Sequence, residues 1–363
     1  MECVFQSRPG AGRTARQVLA IAGTTVVEAI QQPVAFLILL SAVLTTLLVP
    51  VFQFHRFGED GRLARDSGLS CMLVFGLVLA AGTAGRSVAE EVERGTAAAV
   101  IGKPVSRLTF VLSKWLGVFL VVVIFWTGVL ASTLAAERSS AHFLVLESFA
   151  GYATDPVTLT LCLAGVAASL AVAAVRHFFW RRRFGVAAFL GLTLTQVAVV
   201  AFCGVCDRLG GLSLQRGESG CQGGCLGEGH AHQAAGWMAS HVPLNLHVIA
   251  AAVLVLLALA VFTALATALA TRLQTGAALA VCVLVLILGL AGDSFVLDAR
   301  ALSWRGLAAG VMPDIQHFWM CDALAHGGRI AWSYVAEAGA YALTCCALFL
   351  TAGCLAFRER DLG

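Results

Sequence analysis

The sequence predicts an all-α, polytopic integral membrane protein, with about eight transmembrane helices and an N-terminal interfacial helix. The first observation behind this is compositional. Of 363 residues, 59% are hydrophobic and 12% are charged, with a mean hydropathy of +0.86, whereas a soluble domain carries about 25% charged residues. So few charges cannot cover a body of this size in water, which excludes a soluble enzyme and intrinsic disorder alike. The second observation is segmental. Eight stretches reach or approach the roughly 20 apolar residues that a helix needs to cross a bilayer: 33–54, 68–88, 109–135, 157–177, 185–205, 245–271, 276–292 and 333–357. The seventh is the shortest, and the third and sixth are long enough to tilt.

Taken in order, residues 12–31 are too polar to cross. Val18, Leu19, Ile21, Ala22, Val26 and Ile30 can share one helical face, with Arg16, Gln17, Thr24 and Glu28 favouring the other. This predicts an amphipathic helix lying in the membrane interface. No cleavable leader is expected, because Arg8, Arg13 and Arg16 lead into a mixed stretch rather than a short apolar core. With the N-terminus in the cytoplasm, fifteen of the 24 basic residues fall in cytoplasmic connections, among them the Arg181-Arg182-Arg183 run. The other nine are spread through longer connections on the opposite side, so the bias of Arg and Lys supports this orientation and a cytoplasmic C-terminus. Of the twelve cysteines, Cys71, Cys162, Cys282, Cys345 and Cys346 lie in apolar runs, where Cys acts as a small hydrophobe. Gly76, Gly82, Gly85, Gly165 and Ser169 are expected to permit close helix packing. A net charge of +3 gives no reason to expect a nucleic-acid partner.

The connection at 86–107, RSVAEEVERGTAAAVIGKPVSR, departs from this pattern. Seven of its 22 residues are charged. Ser87, three residues before Glu90, offers a capping box for a short helix, with Glu90, Glu91 and Glu93 in the early turns where a helix dipole favours acid. Gly95-Thr96 interrupts this helix, and Pro104 starts the turn into the next span. The Gly102-Lys103 pair is not a phosphate-binding loop, since that pattern needs Gly at 97 and Ser or Thr at 104, where Ala97 and Pro104 stand. An acidic, kinked element beside the membrane reads as a docking surface; the plainer reading is a solvated loop whose charges only set orientation.

The run GRSVAEEVERGTAAAVIGKPVSRLTFVLSKWLGVFLVVV resembles the signature region of ABC-2 type permeases, in particular the subgroup with the nitrous-oxide-reductase maturation and gliding-motility permeases. The resemblance rests on Glu91 to Gly95-Thr96, on Lys103-Pro104-Val105-Ser106-Arg107, and on Phe110-Val111-Leu112-Ser113-Lys114-Trp115-Leu116-Gly117. It extends to the loop 58–66 and to the ending Phe357-Arg358-Glu359-Arg360-Asp361-Leu362. It implies that Glu90, Glu91, Glu93, Arg94, Gly95 and Thr96 contact a separate ABC ATPase subunit, and that Lys103, Pro104 and Arg107 set the turn into the third span. It further implies export across a bacterial inner membrane, pairing of two permease subunits as a homodimer or heterodimer, and no cofactor in this chain, ATP and Mg²⁺ being bound by the partner. The family usually has six spans. The departure suggests four segments: an interfacial segment 1–32, the first spans with the coupling element 33–137, an insertion 138–243 and the C-terminal spans 244–363.

Two other features call for chemistry. Residues 203–247 hold Cys203, Cys206, Cys221, Cys225, His230, His232, His241 and His247 in a Gly-rich setting. Thiolates with imidazoles suit copper or zinc, and Cys221, Cys225, His230 and His232 are the metal candidates. The Cys221–Cys225 spacing does not match common zinc knuckles, and a disulfide or an unligated loop stays equally open. Glu337, with Tyr334 and Tyr341 on the same side of the last span, is either a buried functional carboxylate or an interfacial residue reaching water. Residues 293–332, with Trp304, Phe318, Trp319 and Trp332, suit short interfacial or re-entrant helices. No nucleophile, base and oxyanion-donor set is visible, so the chain is expected not to be an enzyme. The function expected is that of an ABC transporter permease subunit; the alternatives are an ATP-independent secondary transporter and a non-transporting membrane scaffold or sensor.

Overall fold

The computed structural model describes residues 11–52, 61–89, 107–140, 143–145, 151–153, 156–181, 183–205, 244–290, 313–321, 323–324 and 328–358. These form nine helices: α1 (Ala11–Gln31), α2 (Pro33–Phe52), α3 (Arg62–Ala84), α4 (Arg107–Ser140), α5 (Pro156–Trp180), α6 (Phe184–Val205), α7 (Val248–Ala270), α8 (Thr275–Leu290) and α9 (Trp332–Arg358). A π-helical turn, Gly85–Ala89, continues α3, and a 3₁₀ turn, Gln316–Phe318, precedes α9. The only strands among the described residues are β1 (Phe143–Val145) and β2 (Gly151–Ala153), an antiparallel ribbon with Leu144 opposite Tyr152. Seven helices, α2 to α7 and α9, are long and apolar enough to cross a membrane. The protein is therefore a multi-pass membrane protein. The seventh expected span, 276–292, is α8, which has 16 residues, about 24 Å of helix, short of the roughly 30 Å hydrocarbon core.

Two helices organise the bundle. α4 touches α1, α2, α3, α5, α6, α7 and α9, while α7 packs between α3 and α9 and is the most buried span. Close approach comes from missing side chains. A Cβ on Gly68 of α3 would lie 2.5 Å from the Thr133 side chain of α4, and one on Gly76 would lie 2.7 Å from Leu259 of α7. On α9, a Cβ on Gly353 would lie 2.9 Å from the backbone of Ala268. Of the residues expected to allow packing, Gly76 and Gly85 do so, Ser169 faces Gly191 at ordinary contact, and Gly82 has nothing within 4 Å. Polar bonds also cross between helices: Trp126 Nε1 donates to the Ala252 carbonyl at 2.8 Å, and Gln196 Nε2 to the Cys162 carbonyl at 3.1 Å. In hydrocarbon such bonds take the place of water.

α3 begins six residues earlier than expected and α4 ends five later, which draws charges into the packed end of the bundle. Gly61, at φ 82°, caps α3 and sits against Glu137 of α4. Glu137 Oε1 accepts from Asn245 Nδ2 at 2.9 Å and pairs with Arg65 Nη1 at 3.4 Å. Arg65 also lies 3.7 Å from Asp66, and Arg138 donates to the Cys203 carbonyl at the end of α6. The Arg65 side chain is 8% exposed and that of Glu137 12%, so each charge depends on the other. Removing one partner of such a pair typically costs 3–5 kcal/mol, because the other is left buried and uncompensated. Glu137→Ala is accordingly expected to lower thermal stability in detergent markedly, by ~3 kcal/mol. Glu137→Gln, which still accepts from Asn245, should lose less. Equal, negligible shifts of the two melting midpoints would contradict the pairing.

Candidate functional site: the base of the acidic connection

The opposite end of the bundle carries the connection that the sequence singles out. Glu90, Glu91, Glu93, Arg94, Gly95, Thr96, Lys103 and Pro104 lie outside the described residues, and Arg107 is the first residue of α4. What is described is the ground on which this connection stands. Its two ends are held by different neighbours.

The exit is the π turn. A Cβ on Gly85 would lie 2.4 Å from Thr275 Oγ1, so the turn is pressed against the start of α8. Arg86 Nη1 donates to Gln32 Oε1 at 2.9 Å, tying it to the bend between α1 and α2. Val88 is fully buried. Ser87 corrects the expected capping box: its hydroxyl donates back to the Ala84 carbonyl at 3.3 Å. The helix does not restart at Ser87. The chain is still continuing α3 there, and the hydroxyl bonds back to a carbonyl of the preceding turn, as serines within helices do.

The re-entry is the first third of α4, which holds the third resemblance motif. Phe110 is buried and stacks on Phe357 near the end of α9, centroids 5.8 Å apart and planes 16° from parallel. Lys114 is buried, its ammonium 5.8 Å from the Phe110 ring centre. Trp115 stacks on Phe119 at 5.8 Å. A Cβ on Gly117 would lie 2.7 Å from Thr25 Cβ and 2.9 Å from the Ala22 carbonyl, so α1 crosses α4 at this glycine. Both α1 residues are buried on one face, with Ala29 and Ile30 following; of the expected apolar face Ala22 and Ile30 are buried, whereas Leu19 is exposed.

These contacts show which connections share an end. α1 meets α6 where the Gln31 carbonyl approaches Gly185, and Arg272 Nε donates to the Ala356 carbonyl near the end of α9. The α1–α2 bend, the π turn, the start of α4, the α5–α6 hairpin, the α7–α8 turn and the end of α9 therefore gather at one end. The Arg65–Glu137 cluster, the end of α6 and Asn245 gather at the other.

The remaining expected sites fare differently. Cys221, Cys225, His230 and His232 lie outside the described residues, and no group of three or more His, Cys, Asp or Glu able to hold a metal occurs among those described. Glu337 is exposed on α9, whereas its two tyrosines are engaged. Tyr341 Oη accepts from the Asp314 N–H at 2.9 Å, and Tyr334 Oη donates to the His317 carbonyl at 2.7 Å. The turn they grip tucks Ile315 against Gly289 of α8 and buries Phe318, so residues 313–318 run beside α9 and cover the end of the short α8.

Residues 14–204 match the model of the family described as "ABC-2 family transporter protein". With more than half of its length matched, the chain belongs to this family and is an ABC transporter permease, a membrane transport component rather than a catalyst. The match runs from α1 to the end of α6, taking in the two helices expected to form an insertion. No curated protein and no solved structure matches the chain.

Gly117→Val is expected to push α1 off α4, since the new methyls would enter Thr25 and a backbone carbonyl. Amide exchange over residues 11–31 should then accelerate while exchange in α7 stays unchanged. Unaltered protection of 11–31 would contradict the crossing.

Proposed function

We propose that residues 86–107 form the coupling element of this permease. They would transmit ATP-driven closure of a separate ATPase subunit, which binds ATP and Mg²⁺, into the membrane helices for export. The observation that carries this reading is the mounting of the connection. Its exit is tied to α8 and to the α1–α2 bend, and its re-entry to α9 and α1. A push on the acidic segment would therefore reach, besides the flanking α3 and α4, the four helices α1, α2, α8 and α9. Glu90, Glu91, Glu93, Arg94, Gly95 and Thr96 would face the partner, with Lys103, Pro104 and Arg107 shaping the return.

The orientation follows from charge. The end that carries this element also carries Arg176, Arg181, Arg183 and Arg272, and this supports a cytoplasmic orientation for it in a bacterial inner membrane, by the positive-inside bias. Two permease subunits, identical or different, would assemble with two ATPase subunits. A secondary carrier is the weaker reading, because among the described residues the buried charged side chains sit toward helix ends, at Arg65, Lys114 and Arg138, rather than at the middle where such carriers bind coupling ions.

In a pull-down of the ATPase subunit with the full-length permease, Glu90→Arg plus Glu93→Arg is expected to reduce recovery at least tenfold. Retention of full binding would refute the docking role. Arg86→Ala should leave binding intact but reduce permease-stimulated ATP hydrolysis, since it loosens the mounting without touching the docking face. Unchanged stimulation would remove the Arg86–Gln32 tie from the coupling path.

A further inference from the structure

We infer that the end of α5 is a docking platform for anionic phospholipid headgroups. Its last turns stand clear of the bundle: residues 174–181 are exposed without interruption. Among them are three consecutive aromatics, Phe178 at 81%, Phe179 at 72% and Trp180 at 67% exposure. Phe178 and Phe179 pack edge to face with centroids 5.4 Å apart. They are the most exposed large apolar side chains on any described helix.

His177 sits edge-on to Phe184 at 6.3 Å, and Phe184 edge-on to Phe36 of α2 at 5.7 Å, which ties the hairpin to the bundle through α6. The three rings after His177 point in successive directions about 100° apart, and all are exposed because this end of α5 stands clear of the bundle. Arg181 then turns the chain at φ 48°. Arg176, Arg181 and Arg183 are exposed, Arg182 completes the run in sequence, and the stretch 172–184 contains no Asp or Glu.

No single solvent suits this patch. Water would leave three adjacent aromatics wetted, and hydrocarbon would strip the arginines. The boundary between acyl chains and headgroups satisfies both, with rings among the upper chain carbons and guanidinium groups on phosphates, which they bind in bidentate fashion. A protein partner covering the rings would have to supply acid for every arginine. An anionic leaflet supplies it without further design, at about fivefold in affinity for each basic residue near its surface.

The test uses the full chain in detergent, titrated with phosphatidylglycerol or with phosphatidylcholine of the same acyl chains, with bound lipid counted by native mass spectrometry. The unaltered chain is expected to favour phosphatidylglycerol. Arg181→Gln plus Arg183→Gln should weaken that binding about fivefold per arginine removed without changing phosphatidylcholine binding, and Arg181→Lys plus Arg183→Lys should keep most of it. Phe178→Ser plus Phe179→Ser should weaken both lipids. On the unaltered chain, which needs no variant to fold, phosphatidylglycerol should slow amide exchange over 174–184 more than phosphatidylcholine does. Equal affinity for the two lipids, equal exchange, or a preference that survives the double glutamine variant would overturn the proposal. Equal affinity is also the result expected if a second copy or another protein covers the patch.

Discussion

Apolar helices gain nothing from the hydrophobic effect by leaving lipid for one another, so this bundle depends on how closely its backbones can approach. The approach is concentrated on α4 and α7. Gly68 and Gly76 place α3 against both of them, Gly353 places α9 against α7, and Gly117 receives α1. Every one of these positions would bring a Cβ to within 3 Å of a neighbour, so the geometry of the whole body is written in absent side chains. The peripheral helices follow from this. α5 and α9 are each largely exposed, and their outward Val and Leu side chains suit lipid or a second subunit.

The two ends of the bundle are finished differently. At one, Arg62 and Arg65 face Asp66 and Glu137 in a small, partly buried cluster with Asn245, which ties together the ends of α3 and α4 and the residues leading into α7. At the other, contacts between helix ends fix the two described segments that flank the charged connection, the π turn and the start of α4. α4, at 34 residues, is about 51 Å long and exceeds the hydrocarbon core by roughly 20 Å. It can therefore take part in both ends, linking the acidic connection to the polar cluster through one rigid rod.

Much of this was legible in the sequence, and the misses are instructive. Apolar runs located seven long helices within a few residues, and the 12–31 pattern anticipated α1, because hydropathy and a 3.6-residue period are local properties. The ends of α3 and α4 were not legible. Arg65 and Glu137 look like loop residues until a partner 72 positions away is brought beside them. Ser87 reads as a cap because a capping box is also local, whereas the continuation of α3 through Ala89, with Gly85 packed against Thr275 of α8, is visible only in the folded chain. The Phe110–Gly117 motif could be recognised as a unit, but not explained: its rings and its glycine acquire meaning only from Phe357 and Thr25, which lie far away in the chain. The aromatics at 178–180 lie just past the expected span 157–177, between His177 and the arginine run, and sequence alone does not separate inward from outward side chains there.

The central claim is that the end of the bundle bearing the acidic connection is where the ATPase subunit engages. Site-specific photo-crosslinking reads this directly. A photoreactive residue placed at Glu90, Glu93 or Thr96 should give adducts with the ATPase, while the same residue at Gly61 or Leu144, at the far end, should give none. Adducts from Gly61 or Leu144, or their absence from all three acidic-connection positions in an assembled complex, would contradict the account.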